Sequence, residues 1–371
     1  MIKNFKTITC LFLFAATLMT GCSASTPANT SENTTIAESS AAQENSVQIT
    51  EPSIGKTESD ISDETTNHET MPVIRIGALK GPTAMGMVQL MEKSEEADSI
   101  AENYQFSIAA AIDEIGPKLI QGELDIAAIP ANMSSVLFNN SKGQIQVIAI
   151  NTLGVLYIVE NGESVQSIED IRGKTIYSSG KGATPELALN YILTSNGISP
   201  EKDVTIEWKT EHTECVAALA NSENAVALLP QPFVSTAQTQ NDQIRIALDM
   251  TEEWEKLQED LESPSAMITG VTVVRKSFAE ENPDAVSDFL DLYQTSADYA
   301  NQDTDGAAAL IGKYEIVPEA VAKKALPYCS ITFIEGNELK TKLSGYLQVL
   351  FDQNPQSIGG ELPSDDFYFI R

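Results

Sequence analysis

Strand-to-helix junctions constrain this sequence more than any other feature, because a short apolar strand, a turn and a helix follow one another four times. In the first junction, residues 74–91, Gly81 and Pro82 break an alternating pattern that is typical of a strand. Thr83 stands where an N-cap would bond the free N–H groups of the next helix. Such a junction predicts a binding place for an anion or a polar group, and an ordinary turn is the alternative.

The three later junctions repeat this arrangement with different polar residues. The strand LDIAAI runs into PANMSS, where Asn132 and Ser134 are candidate caps. The strand GKTIYSS enters the turn GKGATP, with Thr184 as the expected cap and Pro185 in the first helical turn. The strand AVALL meets PQPF at residues 230–233. All four junctions therefore place polar or aromatic residues at the carboxyl ends of predicted strands.

The alternation of strand and helix patterns predicts an α/β fold with mainly parallel sheets. The junctions fall into two blocks, and the second is inserted into the first. We predict a first lobe at residues 72–158, a second lobe at 159–265, and a mostly helical return to the first lobe at 266–371. Ligands bind at the carboxyl ends of strands in open α/β sheets and in clefts between domains, so the junctions of both lobes are expected to face one cleft.

The N-terminal segment has the pattern of an exported lipoprotein. Lys3 and Lys6 precede an apolar run at residues 8–19 that is short for a membrane span and suits a signal peptide at residues 1–21. The end of this run resembles a bacterial lipoprotein cleavage box, which implies a diacylated Cys22. Residues 22–71 are rich in Ser, Thr, Asn, Ala and Glu and predict a disordered tether. The expected location is the extracytoplasmic face of the cell membrane.

Composition excludes several classes of function. A net charge of −30 argues against nucleic acid as a partner and against direct adhesion to anionic lipid. The chain has 2 histidines and neither a G-x-S-x-G nor an H-E-x-x-H motif, which disfavours enzymes that use histidine base chemistry. His212 and Cys215 have metal-ligand spacing, but no further His or Cys lies near them, so neither a metal nor a cofactor is expected. We expect Cys215 and Cys329 to be free thiols.

The order of several segments carries a resemblance to a known family. GPTAMG, LDIAAIPANMSS, SIEDIRGKTIYSSGKGATPELAL and LLPQPF are followed by ENPDAVSDFLDLYQ, EIVPEAVAKKALPYC and SIGGELPSDDFYF. From residue 72 onward the chain resembles the solute-binding proteins of ABC importers, in the group of nitrate, alkanesulfonate, taurine and thiamin-precursor binders. The resemblance implies a type II periplasmic-binding-protein fold, in which two lobes are joined by crossing hinge strands. These would lie near residues 152–157 and 268–273.

The resemblance also implies partners and a ligand shell. The partners would be a small-molecule ligand, the ABC permease with its ATPase, and the membrane through Cys22, with the protein itself monomeric. No arginine lies in any of the four junction loops, so a sulfonate-like anion and a heteroaromatic thiamin-precursor-like solute both stay open. The implied ligand-binding residues are Lys80, Gly81, Pro82, Thr83, Ala84, Met85, Asn132, Ser134, Ser178, Lys181, Ala183, Thr184, Gln231 and Phe233.

Two other functions remain as alternatives. Enzymes of the menaquinone pathway and thiamin-pyrimidine synthases resemble this fold. The export signal argues against both, and the sequence lacks the cysteine-rich motif of the pyrimidine synthase. A receptor that reports the presence of its ligand without transport is the second alternative.

Overall fold

The computed structural model describes residues 72–96, 99, 101–259, 261 and 264–371, so the expected signal peptide, Cys22 and the tether lie outside the described residues. The described strands are β1 (Ile74–Leu79), β2 (Tyr104–Ala109), β3 (Ile126–Pro130), β4 (Ile145–Thr152), β5 (Leu156–Asn161), β6 (Thr175–Ser178), β7 (Thr205–Trp208), β8 (Val226–Pro230), β9 (Ile244–Asp249), β10 (Gly270–Arg275) and β11 (Ile331–Ile334).

Helices cover both sheets. They are α1 (Pro82–Met85), α2 (Val88–Ser94), α3 (Ile112–Gln121), α4 (Ala131–Ser141), α5 (Thr184–Ser195), α6 (His212–Ala220), α7 (Phe233–Gln240), α8 (Met250–Lys256), α9 (Lys276–Glu281), α10 (Pro283–Gln302), α11 (Thr304–Lys313), α12 (Glu319–Ala325) and α13 (Gly336–Gln353). In the described part of the chain, none of them is long and apolar enough to cross a membrane.

The strands form two mixed sheets, and the predicted α/β class is confirmed. The first sheet has the order β11-β4-β10-β3-β1-β2 and the second the order β7-β6-β8-β5-β9. The pairings of β1 with β2 and β3, and of β6 with β7 and β8, are parallel. The remaining pairings are antiparallel, so the sheets are mixed rather than mainly parallel. The reason is that β5 and β10 each enter a sheet directly after the chain has crossed from the other sheet.

The two sheets repeat one pattern of pairing. Ile76 of β1 pairs with Phe106 of β2, and Ile176 of β6 pairs with Ile206 of β7. The β1–β3 and β6–β8 pairings correspond in the same way, as do the antiparallel pairings of β10 with β3 and of β5 with β8. From β1 to α4, each position of the first sheet therefore has a counterpart in the second sheet. The residue number of the counterpart is higher by about 100.

The crossing segments are bonded to the starts of two helices. The N–H of Ala131 donates to the carbonyl of Thr269 at 3.0 Å, and the N–H of Gln231 donates to the carbonyl of Val155 at 3.0 Å. The two crossings also bond each other, since the N–H of Thr269 donates to the carbonyl of Thr152 at 3.0 Å. These contacts lie in the two segments that the resemblance assigns to the hinge. The lobe boundaries themselves stay predictions.

Helix α13 joins the cores of the two sheets. Its buried residues Leu339, Leu343 and Leu347 belong to a hydrophobic cluster that includes residues of both sheets. Its Tyr346 is fully buried and lies 5.7 Å, between ring centroids, from Trp254 of α8. Cys215 and Cys329 are both buried and free, so that prediction is confirmed. Burial of these thiols is consistent with their use as small apolar side chains.

A third contact between the two halves lies before β11. The hydroxyl of Tyr157 in β5 donates to the carbonyl of Tyr328 at 2.9 Å. The N–H of Leu153 donates to the carbonyl of Ser330 at 3.1 Å, so the same segment also holds the crossing. The segment 326–330 thus ties the second sheet to the crossing strand through two hydrogen bonds.

Replacing Tyr157 by phenylalanine should lower the free energy of unfolding by about 0.5–1.5 kcal/mol, because it removes the donor to Tyr328 and keeps the ring. Urea denaturation of the two proteins measures this difference. Tyr177→Phe is the matched control, since no hydrogen bond of its hydroxyl occurs among the described residues. Equal losses in both variants would show that the Tyr157 hydrogen bond contributes nothing of its own.

Candidate functional site

The first junction begins its helix earlier than the sequence predicts. Helix α1 begins at Pro82, and Gly81 precedes it with a positive φ of 119° that favours glycine. Thr83 is therefore inside the helix and is not the N-cap. Its hydroxyl donates to the carbonyl of Leu79 at 3.0 Å, as hydroxyls in a first helical turn do when they bond back to the preceding turn. Ala84 and Met85 are buried, and Lys80 is exposed.

A glycine in the crossing strand brings Thr83 close to the crossing. A Cβ atom at Gly270 would lie 2.5 Å from the Thr83 methyl group, so only glycine fits there. Beside it, Asn151 donates to the hydroxyl of Thr272 at 3.0 Å and accepts from that of Thr152 at 2.9 Å. The carboxyl edge of the first sheet thus ends in a buried polar network next to the start of α1.

The candidate residues of the second junction make internal hydrogen bonds. Helix α4 begins at Ala131, so Asn132 and Ser134 are not N-caps. Asn132 donates to the carbonyl of Ser357 at 3.2 Å, and Ser134 donates to that of Ala131 at 2.6 Å. Both residues are buried. The Asn132 bond holds α4 to the C-terminal segment, and the Ser134 bond lies within α4. A ligand role for Asn132 and Ser134 stays a prediction.

The third junction is an exposed glycine turn. Helix α5 begins at Thr184, and Ala183 precedes it, so Thr184 is not the cap. Thr184 is 7% exposed and lies next to the buried hydroxyl of Tyr346. Ser178 is buried, and its hydroxyl donates to the carbonyl of Ser179 at 3.2 Å. Lys181, like Lys80, is exposed to solvent.

The fourth junction contains a buried donor without an acceptor. Gln231 is 1% exposed, and its Oε1 atom accepts from the N–H and the hydroxyl of Ser235 at 3.3 and 3.0 Å. Among the described residues its Nε2 atom has no hydrogen-bond partner. A buried unpaired donor costs about 1–3 kcal/mol. This arrangement favours an acceptor that arrives from outside the chain.

Two residues that the sequence analysis did not place in the site lie beside Phe233. The Oγ of Ser179 is 2.6 Å from Nδ1 of His212, and the His212 and Phe233 ring centroids are 4.8 Å apart. These three residues line a cavity of about 350 Å³ at the carboxyl edge of the second sheet. The signal for His212 is its place at the start of α6, because β7 is the parallel neighbour of β6 and its junction faces the same edge.

The protonation state of His212 decides what the pair with Ser179 can do. Burial lowers the pKa of His212 to about 4, so the imidazole is neutral at pH 7. An imidazole with such a low pKa is a poor general base, because efficient bases have a pKa near the working pH. The Ser179–His212 pair is therefore suited to hydrogen bonding with a ligand rather than to proton abstraction.

The described residues include no cluster of three or more His, Cys, Asp or Glu side chains that could hold a metal ion. The polar groups of the site are hydroxyls, an amide, a neutral imidazole and backbone N–H groups. Such a set binds a small organic solute by hydrogen bonds and ring contacts.

Comparisons with known proteins agree with this arrangement. Residues 98–311 match the model of the family described as ABC transporter, phosphonate, periplasmic substrate-binding protein. No curated protein sequence matches the chain. Among solved structures, an ABC transporter from Parabacteroides distasonis has 21% identity and a TM-score of 0.66, covering 80% of this chain and 98% of its own.

Two further similar structures have names that state what they bind. The periplasmic aliphatic sulphonate binding protein SsuA from Escherichia coli has 17% identity and a TM-score of 0.60, covering 78% of this chain and 92% of its own. The periplasmic nitrate-binding protein NrtA from Synechocystis PCC 6803 has 14% identity and a TM-score of 0.53, covering 81% of this chain and 92% of its own. At these identities the likeness establishes the fold.

The partly buried His212 should make the stability depend on pH. The folded pKa of about 4 lies below the ordinary histidine value of 6.5, so between these pH values the unfolded chain binds a proton that the folded chain does not. The free energy of unfolding should therefore fall by about 1–3 kcal/mol more in the wild type than in His212→Asn as the pH drops from 6.5 to 4.

Urea denaturation at a series of pH values measures this difference. His68→Asn is the matched control, because His68 is the other histidine of the chain and lies in the predicted tether. Parallel curves for the wild type and His212→Asn would contradict a depressed pKa at His212.

Proposed function

The chain belongs to the family of periplasmic substrate-binding proteins of ABC transporters that is named for phosphonate, and from this we propose that it captures one small solute between its two sheets. It then delivers the solute to a membrane permease and its ATPase. The observation that carries the proposal is the buried, unpaired Nε2 of Gln231, beside the cavity formed by Ser179, His212 and Phe233.

The proposed site combines polar residues from both sheets. Gln231 and Ser179 lie at the carboxyl edge of the second sheet, and Thr83 lies at that of the first. A solute bonded to both edges would bridge the crossing segments, and its binding energy would favour the closed arrangement of the lobes.

Binding without chemical conversion is part of the proposal. The family consists of substrate-binding proteins, and the weakly basic His212 does not suit the role of a catalytic base. The neighbours named for sulfonate and nitrate favour a small anion, and the exposed Lys80 and Lys181 could attract one. The proposal also includes that the protein is a monomer and that a lipid on Cys22 anchors it on the extracytoplasmic face of the membrane.

The Gln231 donor gives the first test of the site. A thermal-shift screen of phosphonates, sulfonates, oxyanions, pyrimidines and vitamins should identify a solute that stabilises the protein. Gln231→Leu should then lower the affinity for that solute by about tenfold or more in calorimetric titration, because the variant removes the donor that bonds the solute. Gln240→Leu is the matched control, since Gln240 is exposed at the far end of α7, the helix that follows Gln231.

The outcomes of this test separate the functions. Unchanged affinity in Gln231→Leu would contradict the proposed contact. If the purified protein alone converts the bound solute, as detected by mass spectrometry, the result would instead support the enzyme alternative.

The anchor has its own test in a pair of cysteine variants. Cys22→Ser should lose incorporation of labelled palmitate and should leave the protein unprocessed or release it from the membrane, because the acylated thiol is gone. Cys10→Ser should keep the label, since Cys10 lies in the predicted signal peptide. Labelled, membrane-bound Cys22→Ser would contradict lipidation at Cys22.

A further inference from the structure

One cavity in the proposed site has an aromatic wall. It holds about 350 Å³ at the carboxyl edge of the second sheet, where Ser179 follows β6 and His212 begins α6. The His212 and Phe233 rings lie 4.8 Å apart with an interplanar angle of 38°. Both side chains are only partly buried, so part of each ring stays accessible from the cavity.

The wall is held in place before any solute binds. The hydrogen bond of 2.6 Å between Ser179 and Nδ1 orients the His212 ring. Phe233 begins α7 two residues after Gln231. The N–H of Gln231 is bonded to the crossing segment. A ring platform that is already ordered costs little conformational entropy when a solute stacks on it. Stacking on the platform is therefore favourable for any flat ring.

The charges at this cavity restrict the solute further. Among the described residues, those lining it include no lysine or arginine, and one of them is the exposed carboxylate Glu211. Glu211 repels an anionic group and attracts a cationic one. The two exposed lysines, Lys80 and Lys181, do not line this cavity. Through Glu211 the lining therefore favours an uncharged or positive group in this cavity over an anionic one.

The corresponding position of the first sheet lacks the platform. Counting 100 residues back, Ile112 takes the place of His212 and Met133 that of Phe233. The repeated fold can thus be built without these rings, which indicates that they are not needed to form the junction. Their pairing at an open cavity is a property of the second sheet.

We propose that this cavity binds the ring of the solute, a planar aromatic or heteroaromatic group that is neutral or protonated. The inference rests on the proposed function, because it names the chemical class of the solute bound at the same site. Aromatic stacking against His212 and Phe233 then selects a flat ring over a saturated ring of the same size and charge.

Two amines and one acid serve as probes of this class of solute, and all three are measured with the full chain. Benzylamine and cyclohexylmethylamine have the same charge and similar size but differ in ring planarity, and phenylacetate reverses the charge. The chain has 2 histidines, so the ring proton signals of His212 are assigned by comparison with His212→Asn in NMR spectra. Benzylamine should shift these signals and bind about two- to tenfold more tightly than cyclohexylmethylamine, and phenylacetate should bind more weakly than benzylamine.

A pair of variants identifies the platform. Phe233→Leu should remove the preference for benzylamine and change the affinity for cyclohexylmethylamine by less than about twofold. Met133→Leu, at the corresponding position of the first sheet, should keep the preference. Should Phe233→Leu melt well below the wild type, Glu211→Gln provides the second variant, and it should narrow the gap between benzylamine and phenylacetate.

Equal binding of benzylamine and cyclohexylmethylamine, or no shift of the His212 signals at the highest soluble probe concentration, would overturn the inference. The proposed function fails by a different result, namely that no solute of the screen stabilises the protein. A solute that binds through Gln231 without moving the His212 signals would leave the function standing and refute the ring subsite.

Discussion

Two backbone hydrogen bonds, from Ala131 to Thr269 and from Gln231 to Val155, hold the two crossing segments of this protein against its sheets. Each bond joins the first residue after a buried strand to a segment that crosses between the sheets. Because both strands end at the carboxyl edge of their sheets, the crossings are held against the edges where α/β proteins bind ligands. The site and the predicted hinge are therefore parts of one structure.

This constraint explains which polar residues are internal and which stay available. At the second junction, Asn132 and Ser134 bond to carbonyls of the chain itself. At the fourth, the Nε2 of Gln231 stays buried without an acceptor among the described residues. Since a buried unpaired donor is costly, this arrangement of Gln231 supports the proposed contact with a solute.

The two sheets repeat their register but differ in their chemistry. The start of α3 carries Ile112, whereas the start of α6 carries His212, whose burial keeps it neutral. Burial alone accounts for this low pKa, because a charged imidazole loses hydration inside the protein. The second sheet thus carries a cavity lined by His212 and Phe233, whereas the corresponding positions of the first sheet hold Ile112 and Met133.

The sequence by itself determined the α/β class, the four strand-to-helix junctions and the free state of Cys215 and Cys329. The class and the junctions follow from local periodicity and from turn residues such as Gly81, which act over a few residues. The free thiols are expected because the predicted lobes separate the two cysteines. The sequence also indicated Gln231 and Phe233 through their place after a buried strand.

Only the tertiary structure decided the helix starts, the mixed sheets and the role of His212. Thr83 and Thr184 have the composition of caps, but positions one or two residues earlier take that place, because the backbone of Gly81 and Ala183 leaves the helix there. The antiparallel direction of β5 and β10 depends on where the chain crosses between sheets. The contact of His212 with Ser179 joins residues 33 positions apart, and such a distant contact arises from packing that no local pattern records.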